Sequence, residues 1–526
     1  MFLKIKTFFL LFVSCLFFVN CTSVDKFNQK IAQPIAVEKL LSDINFTQHK
    51  LEKLYPNLYG YISKAQLNFK FDSIRQVVNK PMTSKEFYFV ISPVIAAVRQ
   101  GHMTMSPTSK RVTKKEKKRL KKSGDGPLSQ FVFEWQNEKL YVLKSKLKIN
   151  KVDGGAEVIS INSITPQTIY EKYRKSYTSD GFNATFLSNF FTKRFSLYLT
   201  NEIGVNDSLN YVFKQNDSIL EKVVRRIKPV VKVKNKAVKD SVKELAKAPV
   251  DKIKNKAEKR RKKIYGFDKP NKEYVKNLKL ISDNSVAILK IKNFSQGRYH
   301  KAYNIIFDSI KKVNSKTLVI DLRDNPGGRI ADAVELISYL SDAPYVVLQP
   351  AIVKSKTSLW KTGVFRTSPK FLYPFIGIAY PFYMGFSYFK TTKNDNGTYQ
   401  YKLTGSRERQ NKPNHFTGKI YVFINGGSFS ASCIVSATLK LNPNVTFVGE
   451  ETGGAFNGTV AGIMPVVALP NSKIPLRLGL MDIKTISQTE VKGRGVFPDK
   501  EIIPTILDKI NHKDLELEWI LNDVKK

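Results

Sequence analysis

Three serines alternate with other residues in the run Asn425-Gly426-Gly427-Ser428-Phe429-Ser430-Ala431-Ser432. A serine hydroxyl is a poor nucleophile at neutral pH. It becomes effective when a base lies within hydrogen-bond reach and donors await the oxyanion. An upstream run, Asp321-Leu322-Arg323-Asp324-Asn325-Pro326-Gly327-Gly328, offers the glycine-rich backbone that such a donor site needs. Together the two runs can perform acyl transfer, one supplying a nucleophile and the other an oxyanion donor. From spacing alone any of Ser428, Ser430 and Ser432 can be that nucleophile, and each can equally be a helix N-cap.

Both runs follow short apolar segments, Leu318-Val319-Ile320 and Ile420-Tyr421-Val422-Phe423-Ile424, and both precede helical spacing. A buried strand, a tight turn and a helix start is how a sheet rim presents backbone N–H groups and a serine. The pattern recurs: strands are predicted over 286–291, 317–322, 421–424 and 445–448, and helices over 303–312, 330–340 and 431–441. This alternation predicts a mainly parallel, layered α/β core over 273–526. It is interrupted by an aromatic-rich insertion, 351–415, expected to form either a lid over a cleft or a plain surface insertion. Upstream, 22–107 reads as mostly helical, with a strand expected at Met103-Thr104-Met105. A basic loop (108–127), a β-rich unit (128–228) and a basic linker or insertion (229–272) follow. Gly155-Ala156-Glu157-Val158-Ile159-Ser160-Ile161-Asn162-Ser163-Ile164, with a helix after it at 166–177, resembles the strand and turn of a PDZ domain. Such modules bind peptide ends by strand addition.

The 526 residues carry a net charge of +43, concentrated in two runs, 110–122 and 222–263. Neither has a sustained apolar stripe, so both are expected to be solvated, largely disordered loops. A patch for anionic lipid, polysaccharide or nucleic acid is the sharper alternative. No zinc motif, RNA-binding sheet signature or basic–aromatic interleaving supports nucleic acid. No metal-ligand spacing, phosphate loop or dinucleotide fingerprint is present, so no cofactor is expected. Asp321, Arg323 and Asn325 read as structural, a strand-end pair holding the glycine turn. At the N-terminus, Lys4 and Lys6 precede an apolar stretch, 7–19, too short to span a bilayer comfortably. Phe18-Val19-Asn20-Cys21 resembles a bacterial lipoprotein signal, which implies lipidation of Cys21 and removal of 1–20, with Asn20 where a small residue is usual. Cys433 then remains alone and is expected to be a buried structural thiol.

The segments 321–328 and 425–432, with Val448-Gly449-Glu450-Glu451-Thr452-Gly453-Gly454 and Gly493-Arg494-Gly495-Val496-Phe497-Pro498-Asp499, resemble the C-terminal processing (tail-specific) serine peptidase family in order and rough spacing. The resemblance covers about 275–505. It implies a crotonase-like layered α/β core, here with an N-terminal helical domain and a PDZ-like β-rich domain. It implies Ser430 as nucleophile, with Ala431 and either Gly327 or Gly328 as oxyanion donors. The common branch takes a lysine after the serine as base, and that place is Ala455 here. The tricorn-like branch, which shares its fold with retinoid-binding proteins, takes a histidine from an upstream domain, and this corresponds to His102. That branch also has a serine before the histidine, where this chain has Gly101, and a glutamate near the last motif, for which Glu490 is nearest. The implied protein is a lipid-anchored serine peptidase of the bacterial cell envelope, periplasmic or on the outer membrane, acting on extended or unfolded polypeptides. The alternative is an inactive ligand- or peptide-binding protein on the same scaffold. Oligomeric state is not implied.

Overall fold

A computed structural model describes residues 23–147, 152–227 and 249–525. The leader, Cys21 and much of the second basic run lie outside the described residues. The centre is a six-stranded sheet. Val286–Ile291, Thr317–Asp321, Lys419–Ile424, Val445–Gly449 and Lys500–Glu501 run parallel in that order, and Lys276–Ile281 pairs antiparallel at one edge. Side chains alternate across this sheet. Leu318, Ile320, Ile420, Val422 and Ile424 pack into the main core with the helices Tyr299–Lys312, Ile330–Ile337 and Ala431–Leu439. Val319, Tyr421 and Phe423 face the other way, against Ile520 of the C-terminal helix Leu515–Asp523. The apolar runs are fully buried because both faces are covered, as the layered reading requires.

The N-terminal region holds the helices Val24–Ala32, Val37–Leu54, Lys64–Val77 and Ser84–Ala96. Thr83 and Glu86 form a capping box that starts the last of these. The helix gives way to the strand Thr104–Met105, which adds to Pro475–Arg477 with Thr104 opposite Arg477. The β-rich unit is an antiparallel meander of five strands from Phe131–Gln136 to Ser218–Arg225. It has its own aromatic core, built on Phe131, Trp135, Tyr173, Phe191 and Phe195.

Three stretches differ from expectation. The first basic run contains a helix, Lys114–Lys122, rather than a loop. Thr113 accepts the Glu116 N–H, Glu116 sits in the first turn, and Arg119, Lys121 and Lys122 sit in the last, so charge follows the helix dipole. The second basic run enters a helix, Pro249–Tyr265. The β-rich unit also contains the helix Thr185–Ile203, which buries Phe191, Phe195, Tyr198 and Leu199 along one side with Leu187 and Phe190 half-buried beside them.

Candidate active site

The two glycine-rich turns meet at the carboxyl ends of neighbouring parallel strands, where open α/β sheets place their sites. Side chains of the turns stitch them together. Asn425 Oδ1 accepts the N–H groups of Asp324 (2.9 Å) and Gly427 (3.0 Å). Ser428 Oγ donates to Leu322 O (2.7 Å), and Ser432 Oγ donates to Asn325 O (2.9 Å). Ser430 Oγ takes no hydrogen bond among the described residues, so the structure separates the three serines by what their hydroxyls do. Ser430 is also strained. It caps the helix Ala431–Leu439 with φ 58° and ψ −116°, a region L-residues avoid and nucleophile turns adopt.

Asn325, fully buried, organises the donor side. Its Nδ2 donates to Ile291 O, and its Oδ1 accepts the Gly327 N–H at 2.9 Å. Gly327 is therefore already engaged. Among the described residues the N–H groups of Gly328 and Ala431 have no acceptor, which narrows the oxyanion pair to these two. Gly327 serves by approach instead. At φ 89°, a Cβ here would lie 2.7 Å from Ala431 N and 2.8 Å from Ser430 Cβ. Gly327→Ala is accordingly expected to cost several-fold or more in turnover and to lower the unfolding midpoint, readable by kinetics and thermal melting.

His102 comes from outside the core. The strand Thr104–Met105 fixes its loop, and its ring lies 5.0 Å from that of Phe429, the residue before Ser430. Its Nε2 is buried with no partner among the described residues. Burial first, and then Arg477, push the imidazole down to about 4, so it is neutral at ordinary pH. Gly101 has a packing reason. A Cβ there would sit 2.6 Å from Phe429 Cζ, leaving no room for a serine. The remaining histidines lie elsewhere. His300 pairs with Glu335, His415 Nδ1 sits 2.7 Å from Lys412 O, and His49 and His512 are exposed.

The turn in which the common branch carries its lysine is occupied differently. Ala455 is buried, and a segment of the β-rich unit, 179–185, grips the turn around it. Ser179 Oγ donates to Gly453 O, Asn183 Nδ2 to Thr452 O (2.8 Å) and Thr185 Oγ1 to Glu451 O (3.0 Å). Asp180 is fully buried at the centre. Its Oδ1 accepts the Gly101 N–H (2.8 Å) and Thr459 Oγ1 (3.0 Å). Burial pushes this carboxyl up to about 6. Asp180 thus ties the His102 loop to Thr459 of the strand Gly458–Ala461, a role the sequence did not disclose. Its run Thr178-Ser179-Asp180-Gly181-Phe182-Asn183 reads only as a polar turn.

The other motifs act as struts. Glu451 takes a bidentate pair from Arg494 (3.0 and 2.7 Å) and the Gly495 N–H (2.6 Å). Arg323 pairs with Asp321, Asp514 and Glu516, bearing out its structural reading. Cys433 is buried, its thiol pushed up to about 12 by burial. Glu490 is exposed in the loop after Met481–Lys484 and makes no hydrogen bond or ion pair among the described residues. It does not hold His102 in this structure. No group of His, Cys, Asp and Glu among the described residues is arranged to hold a metal ion.

Residues 285–502 match the model of peptidase family S41. No curated protein matches the chain. Among solved structures, mature CPAF is similar over 93% of this chain and 97% of its own, at 14% identity and a TM-score of 0.56. Mature CPAF complexed with lactacystin is similar over 93% and 98%, at 14% identity and a TM-score of 0.58. At such identity the likeness is one of fold.

Proposed function

Since residues 285–502 match the model of peptidase family S41, we propose that the chain is a serine peptidase of that family in which Ser430 attacks and His102 is the base. The observation that carries this is the contrast among the serines: Ser428 and Ser432 are tied to backbone carbonyls, and Ser430 alone is strained and unbonded beside free N–H groups of Ala431 and Gly328.

In the reaction, His102 Nε2 accepts the Ser430 proton as Oγ bonds the scissile carbonyl carbon, and the carbonyl oxygen becomes an oxyanion. The N–H groups of Ala431 and Gly328 stabilise that oxygen, each worth about 3 kcal/mol in a dry site. The imidazolium returns the proton to the leaving amine, and water then hydrolyses the acyl-enzyme by the same steps. A neutral imidazole suits the first transfer, and the strained Ser430 backbone keeps Oγ out of competing hydrogen bonds. His102 must reorient onto Oγ when substrate fills the cleft, as catalytic hydrogen bonds often tighten on binding. Substrates are extended or unfolded polypeptides, and Cys21 is the lipid anchor of an envelope protein.

The test is digestion of a chemically unfolded protein and of its folded form, with mass spectrometry of the products. Wild type is expected to cut the unfolded chain, and Ser430→Ala to leave it intact. Capture of the unfolded chain by wild type with no cleavage would favour the binding-protein alternative.

A further inference from the structure

The insertion contains the helix Tyr373–Lys390, and its outer face is bare. Phe375, Ile378, Phe382 and Phe389 are 70–83% exposed, and Phe386 lies between them on the same stripe. Steps of three and four residues put all five on one side. The opposite side is fastened. Tyr383 Oη donates to Leu359 O (2.8 Å), Trp360 Nε1 donates to Met384 O (3.1 Å), and Tyr380 bonds Trp360 O. The hydroxyls of Tyr380 and Tyr383 are thus used up against the protein while the phenyl rings face out. Only Ser387 of this helix is buried.

Charge says what covers this face. From 343 to 394 the chain has Lys354, Lys356, Lys361, Arg366, Lys370, Lys390 and Lys393 and no acidic residue. Partial burial, then Lys50 and Lys53, hold Lys361 below the ordinary lysine range, so cations crowd one another here. Arg366 also lines a cleft of about 850 Å³ with Lys30, Lys39, Arg111 and Lys473, and no acidic residue lines it. The first described helix, Val24–Ala32, forms part of that cleft. A water-exposed apolar stripe in a segment whose charged side chains are all cationic is the composition of an element lying in a membrane interface. No described helix is long and apolar enough to cross a membrane.

We propose that the helix Tyr373–Lys390 is a membrane-contact element, whose phenyl stripe enters the interface of an anionic bilayer while Lys361, Arg366 and Lys370 meet its headgroups. It does not rest on the peptidase reading, and it gives the protein a bilayer contact of its own, separate from any lipid on Cys21.

The test uses the full chain with Cys15→Ser and Cys21→Ser, so that Cys433, which is buried, is the remaining native thiol. Nitroxide labels are placed at Phe382→Cys or, as control, at Asn396→Cys on the exposed turn after the helix. Each is mixed with vesicles of phosphatidylcholine alone or of equal parts phosphatidylcholine and phosphatidylglycerol. The label at 382 is expected to become about tenfold less accessible to a water-soluble paramagnetic relaxant with phosphatidylglycerol vesicles, and the label at 396 to stay accessible. Arg366→Glu with Lys370→Glu should weaken that protection. A label at 382 that stays fully accessible on both vesicles would overturn the proposal, even if the leader binds. So would equal protection on neutral and anionic vesicles. Protection without vesicles that vanishes on dilution would assign the stripe to a second copy of the chain instead.

Discussion

Ser430→Ala will abolish hydrolysis, lowering kcat/KM by about 10⁴-fold or more, with thermal stability within about 0.5 kcal/mol of wild type. The stability half follows from the unbonded Oγ: its loss leaves no buried partner unsatisfied. The neighbouring serines give the control. Ser428→Ala strips the hydrogen bond to Leu322 O, and Ser432→Ala strips the one to Asn325 O, so each should cost about 1–3 kcal/mol of stability. Kinetics and thermal melts of the three variants separate nucleophile from strut. Loss of turnover in Ser428→Ala or Ser432→Ala with an unchanged melt would contradict the assignment.

The second large effect belongs to His102. His102→Ala should lower kcat by about 10²–10⁴-fold, the range of a general base. The wild-type acid limb carries more information. Because burial holds the imidazole at about 4, the base stays competent well below the usual histidine range, and kcat/KM should fall only as pH approaches about 4. The sign for stability follows from linkage. The folded value lies below the unfolded one, so the unfolded chain binds more protons between about 4 and 6.5, and this group weakens the fold as pH drops through that window. Asp180 works oppositely. Its folded value is raised to about 6, so the folded chain binds the extra proton between 3.8 and 6, and its contribution grows as pH falls. Denaturant melts across pH should therefore show the stability of wild type falling relative to His102→Ala from about pH 6.5 to 4. A flat difference would mean that His102 is not held neutral by burial.

The parts of this site that were legible are those whose chemistry is local. A turn that must bring backbone to within 3 Å of a neighbour needs glycine, and Gly327 and Gly328 advertised it. Apolar runs buried on both faces announced the parallel strands, and the missing lysine at Ala455 pointed away from the core for a base. The choice between Gly327 and Gly328 was not readable, because it turns on where the Asn325 side chain points. Asp180 was hidden for a different reason: its partners, Gly101 and Thr459, lie far away in sequence, and a polar turn looks the same with or without them. Glu490 followed from resemblance alone, and the structure leaves it in solvent. The helix Tyr373–Lys390 was missed because Pro374, Pro381, Gly377 and Gly385 mark a loop by propensity, while apolar residues surround the axis and blur any stripe. Its tyrosines and Trp360 hold it by tertiary hydrogen bonds instead.

In the proposed mechanism Ser430 is the nucleophile and its base, His102, is delivered from outside the α/β core. Reaction with a serine-directed phosphonate, followed by peptide mapping in a mass spectrometer, tests both halves at once. One adduct is expected on wild type, on Ser430, none in Ser430→Ala, and much slower labelling in His102→Ala. An adduct that survives in Ser430→Ala, or a wild type that never labels, would contradict that mechanism.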